Sequence, residues 1–524
     1  MSDHVELRSG VYVDSVGLMQ VSRQVAATPG VQAAQVAMAT DLNVEVLTGM
    51  GFAVPGHAGP NDLVVAVRAD DEQHLDAGLA AVEAAFTALR PAGATAGGAA
   101  DASAAFGQAP PPRTLGRAVA VAGANLALVS VPGRHATVEA FDAVDRGVSV
   151  MVFSDNVPVE DEVRLKAAAA ARDVLVMGPD CGTAVVAGVA LGFANVVARG
   201  PVGVVAASGT GAQQVMALLD AAGVGTSHCL GVGGRDLSAA VAGRSTRQAL
   251  AALDADPATE CILVVSKPPA PGVLADLEAY AGGLGTPVHW ATLGPGRPDL
   301  TAAVEELLGA IGHDTPTWPR WLPARVERSA GTVHTAQPRG RHLRGLFCGG
   351  TLADEAMLVA SAELGGIRSN IPLAADLALG PELAADTHVV IDFGDDALTR
   401  GRAHPMIDPG LRLERIAAEA ADPSCGVLLL DLVLGHGAHA DPGPELAEAV
   451  AGARATAGAA GRDLSVVVSL TGTRGDPQGL DRTAQALTAA GAVVHLSNAA
   501  ATRAALALLA AGHHAHWATG EEKP

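Results

Sequence analysis

Aromatic side chains make up only 3% of this 524-residue chain. Its cores must therefore be aliphatic. Ala, Val, Leu and Gly dominate the rest, the composition expected of parallel sheets covered by small-residue helices. Cysteine is scarce: Cys181, Cys229, Cys261, Cys348 and Cys425 are an odd number with no Cys-x-x-Cys pair. That speaks against a disulfide framework and against a zinc site, and it fits a reducing, cytoplasmic setting. Positive charge is also short, with a net charge of −21 and no basic stripe. Nucleic acid and anionic membranes are disfavoured as partners, and the acidity reads as a solvated surface. Long apolar runs are missing too. The start, MSDHVELRSG, has no apolar h-region, and runs such as Gly426–Leu434 are of strand length. No metal site is expected.

At roughly 150 residues per domain, the length asks for three or four units. Residues 1–90 read as a small βαβ unit with strands Gly10–Asp14, Val31–Ala39 and Asp62–Arg68 and helices Leu18–Ala27 and Leu75–Leu89. The second helix has Leu75, Leu79, Val82 and Phe86 on one face. Residues 91–117 are rich in Gly and Pro and read as a mobile linker. Alternating βαβ patterns with short turns follow: a Rossmann-like unit at 118–199 and a flavodoxin-like unit at 200–312. A Pro/Trp/Arg-rich interdomain strap covers 313–342, and a second flavodoxin-like unit spans 343–524. The fold class expected is α/β with parallel sheets.

The clearest motif is the strand Val202–Ala207 running into Ser208-Gly209-Thr210-Gly211 and then a helix. Free N–H groups and the dipole at a helix start favour an anion, and Ser208 and Thr210 add hydroxyls. A plain N-cap with packing glycines is the other reading. A second turn, Gly435-His436-Gly437-Ala438-His439, follows an apolar strand where ligands sit in open α/β sheets. Its histidines are either site residues or surface residues, and the spacing is a poor zinc signature. Met177–Thr183 includes Asp180, Cys181 and Gly182. Cys181 has no basic neighbour in sequence and reads as a small buried thiol rather than a nucleophile. Arg235 in Gly231–Asp236 and Lys267 in Val265–Pro269 each put a cation beside a strand end, as an anion ligand or a solvated charge.

These residues carry a resemblance. About Leu126 to Leu293 resembles the α subunit of succinyl-CoA synthetase, at the Ser154–Pro158 turn, Gly178–Gly182, Ser208-Gly209-Thr210 and Gly231–Asp236. Leu343–Leu509 is similar to the carboxy-terminal domain of that enzyme's β subunit, with Leu470-Thr-Gly472-Thr473 matching its late strand-loop. No ATP-grasp domain lies between them. More closely, the chain is identified as a member of the FdrA family. The matching segments are Gly10–Leu18, Met177–Thr183, Ser208–Gly211, Gly231–Ser238, Ser266–Pro269, Gly349–Glu355, His404–Pro409 and Asp431–Pro442. The resemblance therefore implies a Rossmann-like CoA-binding-type unit plus two flavodoxin-like succinyl-CoA-synthetase-type domains. Members have been labelled acyl-CoA synthetases by homology. The family also includes a subunit of oxamate carbamoyltransferase, which works in allantoin (purine) breakdown with two other proteins and yields carbamoyl phosphate.

Three departures from the synthetase pattern bear on activity. The segment that should carry a phosphohistidine reads Gly294-Pro-Gly-Arg-Pro-Asp299, without histidine. The acidic residue that steadies that histidine is replaced within Ser266–Pro269, and Asp14-Ser15-Val16-Gly17 stands where a CoA loop belongs. On this basis the resemblance implies a carbamoyltransferase subunit of a hetero-oligomer, moving a carbamoyl group between an oxamate-like ureido compound and phosphate. No cofactor is expected, and CoA binding is expected to be weak or absent. Ser208, Gly209, Thr210 and Gly211 would cradle phosphate together with Gly435 and Gly437, with Arg235 or Lys267 neutralising it. His436 or His439 would shuttle a proton, with His404 behind them. Asp180, Cys181, Gly182, Gly349, Gly350 and Thr351 would contact the rest of the substrate. The alternatives are an acyl-CoA synthetase and a non-catalytic metabolite-binding subunit.

Overall fold

The computed structural model describes the chain apart from residues 10, 12, 14, 61, 90–113, 324–339, 400–402 and 519–524. It separates into two compact units, the first built on Met1–Asn125 and the second on Leu126–Thr399 with the chain from His404 onward.

The first unit is built on an antiparallel sheet. Strands Ser2–Ser9 and Val31–Met38 flank Asp62–Ala69, and both run antiparallel to it. Helices Ser15–Ala26 and Glu72–Leu89 bury Leu18, Val21, Val25 and Val82 against Val36, Val65 and Val67. The helix Asp41–Gly49 closes the other face with Leu47 and Phe52. The strand expected at Gly10–Asp14 falls largely on residues outside those described, Gly10, Tyr12 and Asp14, and the first strand described is Ser2–Ser9. In Ser2–Ser9, Val5 and Leu7 pack inward and alternate with Glu6 and Arg8, while Asp3 shares the face of Val5. With two apolar positions the alternation is short. Asp3 is matched by Arg68 at 2.6 Å and Arg8 by Glu83 at 2.6 Å, so an edge strand carries them without loss. Most of the expected linker, 91–113, lies outside the described residues. Its last residue but three, Thr114, caps the helix Leu115–Ala122 by accepting from Arg117 N–H at 3.2 Å.

From Leu126 onward the chain is α/β. Leu126–Val129, Ser149–Val152 and Val176–Met177 form a parallel sheet with helices Gly133–Asp145 and Val159–Ala170 between them. A six-stranded sheet follows in the order Val288–Thr292, Cys261–Ser266, Val202–Ala207, Thr226–Gly231, Thr183–Val186, Val189–Gly192. The first four are parallel, and the last two form an antiparallel hairpin on the Thr226–Gly231 edge. The third sheet has seven strands, with Cys425–Val433 central between His342–Phe347 and Ser465–Thr471. Every residue of Val202–Ala207 and of Cys425–Val433 is buried. Both runs are apolar on both faces because helices cover both faces of a parallel sheet. The expected α/β class with parallel sheets is thus the observed one. Of the strap, 324–339 lies outside the described residues. Arg320–Trp321 pairs antiparallel with Val493–His495, and the Trp321 indole donates to Asp481. Among the described residues no helix is long and apolar enough to cross a membrane.

Candidate functional site

Two helix starts meet. After the strand Val202–Ala207 the backbone stays extended at Ser208 (φ −165°, ψ 123°) and the helix Gly209–Ala221 begins. The Ser208 hydroxyl accepts from Gly211 N–H at 2.9 Å, an ordinary N-cap. It also donates to Thr351 Oγ1 at 2.6 Å, across to the helix Gly350–Leu364 that follows the strand His342–Phe347. Glycine permits the approach on both sides. A Cβ on Gly211 would stand 3.0 Å from Thr351 Cγ2, and one on Gly349 would stand 2.7 Å from Thr210 Oγ1. The positive ends of two helices of 13 and 15 residues therefore converge.

This changes the pairing expected from sequence. Gly435 and Gly437 do need glycine, at φ 122° and 78°. They do not open a helix, however. Gly435 N–H donates to Gln478, His436 N–H donates to Ala194 carbonyl, and the next helix starts only at Pro442. Gly349, Gly350 and Thr351 face the Ser208 turn instead. The φ of Gly209 is not in the left-handed region, so its need for glycine is one of space alone.

The second turn is held from a distance. Asp431, on the central strand, accepts from Cys348 N–H at 2.8 Å and from Gly349 N–H at 3.0 Å. Arg412 pairs with the same carboxylate at 2.7 Å, and both residues are buried. Burial pushes the Asp431 carboxyl up, against the pull of Arg412.

Lys267 follows the strand Cys261–Ser266 and reaches the start of the second helix. A Cβ on Gly350 would lie 2.8 Å from Lys267 Nζ and 2.6 Å from Asp392 Oδ2, so ammonium and carboxylate meet over that glycine. Asp354 Oδ2 is 3.8 Å from Lys267 Nζ. Burial raises Asp392 to about 7 and Asp354 to about 6, with Lys267 opposing both shifts. Asp180, at φ 56°, is exposed. The surrounding protein, then Asp396 and Asp155, raise it to about 7. Because its carboxylate still touches solvent, screening softens that shift. Arg235 is occupied elsewhere, donating to Val157 carbonyl at 2.8 Å and pairing with Glu162 at 3.0 Å.

The remaining sequence candidates scatter. Cys181 is a core thiol, donating to Thr183 carbonyl and pushed by burial up to about 12. The Gly182 carbonyl accepts from Phe193 N–H at 2.7 Å. His436 is exposed. His439 accepts from Asp441 N–H and lines a small cavity with Cys348, Met406 and Arg412. His404 is lowered by burial to about 4, so it is neutral at ordinary pH. Sequence reasoning left out Asp392, Asp354 and Asp431. For Asp392 a signal exists: it is an acidic residue at the carboxyl end of an apolar strand, Val389–Asp392, where ligands sit in open sheets.

Comparison with known proteins adds the following. A family model described as CoA-ligase matches residues 346–508, which include the Gly349–Thr351 turn, Asp392 and Asp431. A model described as AllF, heavy metal-associated domain, matches residues 1–103. That stretch contains no cysteine, and soft heavy metals favour thiolates. Among the described residues no group of three or more His, Cys, Asp or Glu is arranged to hold a metal. The residues therefore do not fit a heavy-metal site. The uncharacterized protein YahF of Escherichia coli K12 is 36% identical over 517 residues, 95% of this chain and 97% of that one. The ADP-forming succinate–CoA ligase subunit alpha of Aquifex aeolicus is 29% identical over 160 residues, 29% of this chain. The match spans about half (51%) of that subunit's length. Among solved structures, the dinucleotide-forming acetyl-coenzyme A synthetase 1 of Ca. Korarchaeum cryptofilum, in complex with phosphate and ADP, aligns over 76% of this chain and 85% of its own. Its identity is 16% and its TM-score 0.27. The family model and the succinate–CoA ligase relatives overturn the carbamoyltransferase reading: they point to ligases.

Proposed function

This chain belongs to the same family as Escherichia coli YahF, and from that premise we propose that it is a cytoplasmic CoA-ligase-type protein of the FdrA kind. Its paired helix starts hold the phosphoryl group of an acyl phosphate while the acyl group passes to the thiol of CoA. The carbon–sulfur bond forms as the carbon–oxygen bond to phosphate breaks. The thiol proton leaves to solvent, and inorganic phosphate departs. The observation that carries this is the contact of the two helix starts through Ser208 and Thr351, with Lys267 beside Gly350.

Each residue has a definite task in this reading. Backbone N–H groups of Gly209, Thr210, Gly350 and Thr351 point at the phosphoryl oxygens, as helix starts do for anions. Lys267 neutralises charge that grows on the leaving phosphate, where fixed cations are most effective. Asp392 and Asp354, raised toward neutrality, tolerate an anion that ionised carboxylates would repel. No step passes through a histidine in Gly294–Asp299, since that segment has none and its Arg297 is bonded to Thr292 and Glu278.

The test uses the purified full chain with acetyl or succinyl phosphate and CoA, following loss of free thiol. Inorganic phosphate should also raise the melting temperature by mass action. Thioester formation that needs the chain supports the reading. A phosphate-dependent shift without thioester would favour the metabolite-binding alternative. Neither signal, at millimolar phosphate and constant ionic strength, overturns the site altogether.

A further inference from the structure

Thr183 is buried, 2% exposed, and its hydroxyl has no hydrogen-bond partner among the described residues. It opens the strand Thr183–Val186, the inner strand of the hairpin on the second sheet. Its main chain is fixed on both sides. The Thr183 carbonyl accepts from Cys181 Sγ at 3.5 Å, and a Cβ on Gly231 would come within 2.4 Å of that carbonyl. The side chain, in contrast, is committed to nothing in the protein. Its Oγ1 lies 3.3 Å from where a Cβ on Gly209 would stand. An unpartnered buried hydroxyl is costly, and native proteins rarely keep one unless a ligand or water uses it.

We propose that Thr183 is a ligand of the phosphoryl group, donating its hydroxyl hydrogen to an oxygen of a tetrahedral oxyanion seated at the start of the Gly209–Ala221 helix. This rests on the phosphate reading above and extends it to a third element of the fold. The two helix starts supply backbone donors, and the hairpin supplies a side-chain donor from another side. This placement also accounts for glycine at Gly209. A methyl group there would press on Thr183 Oγ1 and fill the space in front of the amides.

The test compares the full wild-type chain with Thr183→Val and Thr183→Ser, using inorganic phosphate as the probe in calorimetry at constant ionic strength. Melting temperature without phosphate is measured alongside. Valine matches threonine in shape and removes the orphan hydroxyl. The Thr183→Val chain should therefore melt no lower than wild type without phosphate, yet bind phosphate about tenfold more weakly, the loss expected for one hydrogen bond to a charged group. Thr183→Ser should recover affinity to within about threefold of wild type, because it restores the donor. Wild-type phosphate affinity in Thr183→Val would overturn the inference and leave the hydroxyl to a buried water. A lowered melting temperature in Thr183→Val that serine restores would also overturn it, by showing a structural hydroxyl. Absence of phosphate binding in the wild type itself would instead bring down the phosphate reading, and this inference with it.

Discussion

In the helix Gly209–Ala221 the first turn is held by the residue just before it, Ser208, whose hydroxyl accepts from Gly211 N–H. In the helix Gly350–Leu364 the same position is Gly349, which has no side chain to offer. The preceding turn is gripped instead by Asp431, 82 residues further along the chain, and Asp431 is held in turn by Arg412. The two starts then touch through Ser208 and Thr351. One cap is local and cheap to lose. The other is tertiary and brings a buried ion pair with it, so its loss strands a charge. The comparison predicts unequal sensitivity of two halves that share one architecture.

The strongest way to break it is Asp431→Ala. Removing one partner of a buried ion pair leaves Arg412 uncompensated and should cost about 3–5 kcal/mol. Urea denaturation checks this, and a loss under about 1 kcal/mol would mean the second start holds itself. Next comes Lys267→Ala, which leaves both caps intact and removes the cation between them. Phosphate affinity should fall at least about tenfold, since a hydrogen bond to a charged group contributes about 1.5–3 kcal/mol and Lys267 is partly exposed. Unchanged affinity in calorimetry would return Lys267 to the solvated surface.

The pH dependence sharpens the contrast further, because the raised carboxyls Asp392 and Asp354 belong to the second start. Asp392 faces Lys267, Asp431 and Asp395, and a Cβ on the neighbouring Gly394 would lie 2.9 Å from His404 Nε2. With its folded pKa at about 7, Asp392 holds its proton at pH 6 and has lost it at pH 8. The sign for folding is that a raised carboxyl stabilises the native state at low pH. That contribution fades as pH climbs from the ordinary carboxylate range near 4 to about 7. For phosphate, the ratio of wild-type to Asp392→Asn affinity should fall about tenfold from pH 6 to pH 8, the change expected for one proton. Phosphate's own ionisation cancels in that ratio, and a flat ratio would remove Asp392 from the site. The smallest effect belongs to the local cap. Ser208→Ala removes the cap and also the bond to Thr351, and should cost about 1–2 kcal/mol of stability. A loss as large as that of Asp431→Ala would erase the distinction.

The same contrast explains what could be read early. Ser208–Gly211 was legible because its signal is contiguous: an apolar strand, a capping residue, then small residues into a helix. Gly435–Gly437 has similar letters, yet its glycines serve a turn packed on Ala194 and Phe193. Sequence adjacency cannot tell these apart, since each satisfies the same strand-then-glycine pattern. Asp431 reads only as a polar residue in a buried strand, and its role depends on Cys348 and Gly349 arriving beside it. Thr183 looked like one more residue of a turn until the hairpin placed it beside Gly209. In the first unit, Ser2–Ser9 has only Val5 and Leu7 as apolar inward positions, too short an alternation to mark a strand, and its charges meet their partners, Arg68 and Glu83, far along the chain.

The sequence by itself determined the α/β class, the aliphatic two-faced strands and the capped strand-to-helix turn at Ser208–Gly211, since each follows from periodicity and local capping that neighbouring residues enforce. Tertiary structure decided that the first sheet is antiparallel, that Gly349–Thr351 rather than Gly435–Gly437 meets the Ser208 turn, and that Lys267, Asp392 and Thr183 gather there. Those facts depend on which strand ends and helix starts a folded chain brings within a few ångströms of one another. Close approach of that kind is set by packing across long sequence separations, where a local pattern carries no information.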